Sequence, residues 1–152
     1  MVTKTSSPVS VLSVGPIDEH QIALAEILCR SGQDAHPDVQ WKLQFCSSLQ
    51  ASLPALDRGN IPIVLCDRDH DPAAWKRMLE RLAFLPDPPC MIVTSRLADE
   101  RLWCEALNLG AHDVLAKPFD AAEVTRVLSH AWHRRGQAVV RGAAAPVLAL
   151  PA

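Results

Sequence analysis

Short apolar, β-branched runs alternate along this chain with longer stretches of helical periodicity, joined by connections of a few residues. The run VSVLSV (9–14) stops at Gly15-Pro16 and reads as a buried strand closed by a turn. Asp18 then caps a helix whose apolar stripe is Ile22, Ala25, Leu28 and Cys29, with Gly32 as its C-terminal stop. Trp41, Leu43 and Phe45 alternate with Lys42 and Gln44, the period of a half-exposed strand. Ser47 or Ser48 opens a second helix to about Arg58-Gly59, in which Pro54 predicts a kink or a late start. The run IPIVLC (61–66) is the most continuously apolar and reads as the central strand, with Pro62 tolerated at its beginning. Pro72 suits a first helical position, ahead of a buried face of Trp75, Met78, Leu79 and Leu82. A fourth strand at 90–94 follows the loop 86–89, and a helix from about Ala98 to Leu109 is stopped by Gly110. Residues 113–116 form a fifth strand, and Asp120 caps a last helix ending near Arg134.

The order is therefore βαβαβαβαβα. Single crossover helices return each strand in the same direction, which predicts an α/β fold: a five-stranded parallel, doubly wound sheet with helices on both faces. With 152 residues the chain holds one domain, read as 9–135, between tails at 1–8 and 136–152. Hydrophobic residues are 49% and charged residues 21%, the balance of an ordinary globular protein rather than a disordered one. A net charge of −2 provides no basic field for nucleic acid or anionic lipid, so neither is expected as a partner. The opening MVTKTSSP lacks the apolar region of a signal peptide, and no apolar run approaches the roughly 18 residues of a membrane span. Five cysteines without a CxxC motif point to a reduced, cytoplasmic protein.

In open parallel sheets ligands bind beyond the carboxyl ends of the strands. Those ends here carry Asp67, Thr94-Ser95 and Lys117-Pro118. A carboxylate nucleophile, a hydroxyl donor and an ammonium form a set suited to a phosphoryl group. Asp67 and Lys117 equally form a plain ion pair, and the residues alone leave both readings open.

The segment GAHDVLAKPF (110–119) resembles the GA-D-YL-KPF segment of the receiver domains of bacterial response regulators. The order of elements is similar to that family's from about Val9 to Arg134. The resemblance implies the flavodoxin-like strand order 2-1-3-4-5. It also implies a phosphoacceptor at Asp67, phosphate contacts from Thr94 and Lys117, and a Mg²⁺ ion beside Asp67. A histidine kinase, a phosphotransfer protein or another regulator is the implied partner, with a homodimer through the last two helices and strand five. The chain departs from the family pattern in three places. Gly15 and Pro16 stand where the family has its metal-binding acidic pair, leaving Asp18 and Glu19 just downstream as substitutes or, for Asp18, as a helix cap. Val114 replaces the aromatic switch residue. His70-Asp71 and Trp75 replace the methionine-proline and glycine after the acceptor, which places an indole near the pocket.

Other features read more plainly. His130 and His133 lack a third metal ligand at matching spacing, and Asp69-His70-Asp71 reads as a solvated acidic loop. Arg134-Arg135 suits a helix C-terminus, and Trp103 and Trp132 read as core or, where exposed, as a partner surface. The leading function is a stand-alone receiver-like module of phosphorelay signalling, not an enzyme. Two alternatives are a phosphate-independent pseudo-receiver that docks or dimerises, and a small α/β enzyme using Asp67, His70 and Lys117.

Overall fold

The computed structural model describes residues 8–31 and 39–144. Strands and helices alternate as β1 (Val9–Val14), α1 (Glu19–Ser31), β2 (Trp41–Cys46), α2 (Leu49–Asp57) and β3 (Ile63–Asp67). They continue as α3 (Ala74–Leu82), β4 (Cys90–Ser95), α4 (Glu100–Leu109), β5 (Asp113–Ala116) and α5 (Ala121–Ala144). Every strand pairing is parallel, in the order β2-β1-β3-β4-β5. The central β3 is buried along its whole length, as its unbroken apolar run demands. The reading as a doubly wound five-stranded sheet holds.

Two apolar layers flank the sheet. Leu12, Val14, Val64, Cys66, Met91 and Val93 face α2, α3 and α4, where Trp75, Met78 and Leu82 pack against them. Val11, Ile63, Leu65 and Ile92 face α1 and α5, meeting Leu24, Leu28, Val124 and Leu128. Adjacent residues of β3 thus serve opposite layers, the period-two consequence of the pleat. Each fully buried side chain of this size contributes roughly 1.5–3 kcal/mol.

Several boundaries and faces differ from the sequence reading. On α1 the buried face is Gln21, Leu24 and Leu28, while Ile22 and Cys29 are exposed. Gln21 is drawn inward because its Oε1 accepts a 2.7 Å hydrogen bond from Ser13 Oγ of β1. Helix α2 starts directly after its cap, Ser48, whose Oγ accepts from Ala51 N, and it keeps Pro54 inside. β3 begins at Ile63 rather than at Ile61. Pro62 has no N–H to give a ladder, and its carbonyl accepts from Cys90 N. Helix α3 begins at Ala74 rather than at Pro72, because Asp71 turns the chain by accepting from Ala73 N and Ala74 N. Asp99 caps α4, and Gly110 ends it in the left-handed conformation at φ +109°.

Helix α5 does not stop near Arg134 but continues through Gly136 to Ala144. The helix-compatible residues after Gly136 carry no proline before Pro146, so nothing local breaks the hydrogen-bond ladder. Arg134 and Arg135 accordingly do not sit at a helix C-terminus. Arg135 pairs with Asp87 at 2.6 Å and donates to the Pro88 carbonyl, tying α5 to the loop before β4. Trp132 is half-buried against the α1/α5 layer, whereas Trp103 is 46% exposed. The Gly32 cap, the tail before Pro8 and everything after Ala144 lie outside the described residues. No helix among the described residues is long and apolar enough to cross a membrane.

Candidate functional site

The parallel sheet delivers Asp67, Thr94 and Lys117 to one edge. Asp67 ends β3 and lies beside Thr94 of β4 in the strand register. Lys117 follows β5 and is held by its own amide, which donates to the Ser95 carbonyl at 2.9 Å. Its Nζ contacts Asp67 Oδ1 directly and lies 3.4 Å from Asp69 Oδ2. The Lys117 and Asp67 side chains are only 5% and 3% exposed, so this is a buried ion pair rather than a surface one. The second Asp67 oxygen, Oδ2, accepts from His70 N at 3.0 Å.

Asp69 is not a solvated loop residue. Its Oδ1 accepts from Ser95 Oγ at 2.7 Å and its Oδ2 from Arg96 N at 2.8 Å. Burial pushes its carboxyl pKa upward, but the bonds from Ser95 and Arg96 and the Lys117 charge outweigh this and hold it below the usual range. Asp71 is engaged as well, by Arg77 at 2.6 Å. Sequence reasoning missed the Asp69–Ser95 pairing, since only the β3–β4 register brings residues 26 positions apart together.

Gly15 lies against the other side of Asp67. A Cβ placed on Gly15 would sit 2.7 Å from the Asp67 Cβ, closer than two such carbons approach. A cleft of about 630 Å³ opens beyond this point, lined by Gly15, Ser47, Leu49, Asp67, His70 and Arg77 among others. The cleft reaches Asp67 from the α2 side. His70 lines it together with Asp67, while Thr94 and Lys117 are not among its lining residues. Cys66, at the cleft floor, is an inert thiol. Burial, aided by the negative charges of Asp67 and Asp71, pushes its pKa up to about 12.

No protein-family model matches the chain, and no curated protein does. Solved structures match over most of their length. The signal receiver domain of an HD domain-containing protein from Pseudomonas fluorescens Pf-5 superposes with a TM-score of 0.73 at 19% identity, covering 92% of this chain and 98% of that one. A CheY-like response regulator receiver domain protein from Methanospirillum hungatei JF-1 gives 0.68 at 15% identity, over 86% and 98%. A chemotaxis response regulator of Vibrio cholerae gives 0.62 at 13% identity, over 82% and 99%.

The chain has the receiver fold. Within it the GAHDVLAKPF segment falls at the end of α4, along β5 and on the following turn, as the resemblance implies.

The donor set beside Asp67 does not fit a Mg²⁺ ion. Such an ion takes near-octahedral oxygen ligation with one or two free carboxylates. Gly15 and Pro16 bring no carboxylate, and any side chain at Gly15 would collide with Asp67. Asp18, read as a possible ligand, is folded back on its own helix, where its Oδ1 accepts from His20 N and Gln21 N. Both Asp69 oxygens and both Asp67 oxygens already have donors. Among the described residues no three His, Cys, Asp or Glu side chains are placed to hold a metal ion. The replacement Trp75 enters the α2–α4 core and does not line the cleft beside Asp67.

Proposed function

We propose that this receiver-fold chain is a signalling module that works through its surface, with Asp67 as the anchor of an ion network and not as a phosphoacceptor. The approach of Gly15 to Asp67 carries this reading. A side chain at Gly15 would collide with Asp67, so no carboxylate stands there to hold a metal, and phosphoryl transfer to a carboxylate relies on a cation to neutralise developing charge. The ammonium of Lys117 is already paired with Asp67. The partner surface in this reading is the α4–β5 face. There Trp103 is exposed with its Nε1 donating to Asp113 of β5 at 3.1 Å, and Leu107, one turn further on, is exposed beside it. An amphipathic, anchored indole of this kind suits a protein partner: a histidine kinase, a phosphotransfer protein, another regulator or a second copy of the chain. All five cysteines are unpaired, which supports a reducing, cytoplasmic setting.

A second reading keeps Asp67 as phosphoacceptor, with Thr94 and Lys117 binding the phosphoryl group. It rests on the convergence of these three residues at one sheet edge. Intact mass after incubation with acetyl phosphate and Mg²⁺, beside an Asp67→Asn control, separates the two. The expected result is no phosphate-sized gain in either protein. A gain in the parent alone would overturn the proposal in favour of the second reading.

A further inference from the structure

We infer that Asp69 is a positioning residue whose carboxylate acts as a built-in anion, fixing the β4–α4 connection and through it the start of α4. Asp69 stands in the loop after β3, yet its bonds run to a different loop. Oδ1 takes the Ser95 hydroxyl and Oδ2 the Arg96 amide, while Lys117 stands 3.4 Å from Oδ2. Ser95 is fully buried, and its Oγ accepts in turn from Leu97 N at 3.0 Å. One carboxylate thus holds the last residue of β4 and Arg96 directly, Leu97 through Ser95, and faces the lysine beyond β5. Only Ala98 lies between this cluster and Asp99, the cap whose Oδ1 accepts from Leu102 N at 2.9 Å. Helix α4 therefore starts where Asp69 holds the preceding residues, and Trp103 lies in its first turns.

The chemistry matches the task. A carboxylate accepting a hydroxyl and an amide forms charge-assisted bonds stronger than neutral ones. Three strand ends are bridged by a group encoded in the chain, without an added oxyanion and without a divalent cation. This goes beyond the proposed function, because Asp69 holds the connection whether or not Asp67 accepts phosphate.

The test compares Asp69→Asn with Asp71→Asn, a nearby carboxylate that pairs with Arg77 and has no bond to the β4–α4 connection. Amide hydrogen exchange and the indole N–H resonance of Trp103, assigned with Trp103→Phe, are read on the full chain. Asp69→Asn is expected to speed exchange at Arg96 and Leu97 roughly tenfold or more and to shift the Trp103 resonance. Protection in α1 and α5 should not change, and Asp71→Asn should leave both readouts as in the parent. Ser95→Ala, which removes one of the two direct bonds, should reproduce the effect in part and stands in if Asp69→Asn does not fold. Unchanged exchange at Arg96 and Leu97, or an unmoved Trp103 resonance once those amides are freed, overturns the inference. Loss of protection throughout α1 and α5 does so too. A phosphate adduct on Asp67 overturns only the proposed function.

Discussion

At the scale of single residues, the molecule places charge and hydrogen-bonding groups where water does not reach. The Lys117–Asp67 pair is tolerable because each member is matched, and Asp69 adds a second carboxylate to the same ammonium. His112 is the opposite case. Both its ring nitrogens are buried with no hydrogen-bond partner among the described residues, and its ring lies 5.6 Å from that of His130. Burial first, then the positive charge of Arg134, outweighs the pull of Asp113 and holds its pKa below the usual imidazole value. The unfolded chain binds this proton more readily than the folded one. Above the unfolded value of about 6.5 the ring is neutral in both states and adds no pH dependence, and stability falls as pH drops through that value towards the folded one. Urea denaturation at neutral pH and near pH 5.5 should show a smaller loss of stability for His112→Phe than for the parent. An equal loss in both would assign the pH dependence to other groups.

At the scale of elements, the helices are delimited by short-range chemistry and oriented by long-range contacts. Ser48, Asp99 and Asp120 each accept a backbone amide three residues on, and these caps fix where α2, α4 and α5 begin. Helix α5 carries a weak point at Gly136, which has helical neighbours on both sides and no contact for an added Cβ among the described residues. Gly136→Ala should therefore stabilise the protein by about 0.5–1 kcal/mol, through a smaller entropy loss on folding and without any new contact. A denaturation midpoint that rises at constant m-value would show it. A fall would mean that α5 bends or packs at Gly136.

At the scale of the whole molecule, one sheet supports two apolar layers that never touch each other. Met78 belongs to the layer under α2, α3 and α4, and Ile92 to the layer under α1 and α5. Truncation on one side leaves a cavity the other cannot refill. Met78→Ala should cost about 2–5 kcal/mol and Ile92→Val about 0.5–1.5 kcal/mol. The double variant should equal their sum to within about 0.5 kcal/mol, in a single transition. Marked non-additivity in urea denaturation would show that strain passes through the sheet. The same architecture explains why the polar network collects at one edge: the strand interiors belong to the two layers, so only the carboxyl ends are open to Asp67, Asp69 and Lys117.

The sequence by itself determined the order of the elements, the parallel sheet and the residues at the strand ends. Apolar period, caps and turn residues act between neighbours along the chain, which is why β5 and the cap at Asp18 fall where the pattern puts them. Tertiary structure alone decided what those residues do. Gln21 turns inward and Ile22 outward because Ser13 waits on β1, a partner that apolar periodicity does not count. Gly15 closes on Asp67, and Asp69 reaches Ser95 and Arg96, only after the strands have paired in register. Position along the chain specifies local geometry, but the partner of a charge at a strand end is set by which strand lies next to it.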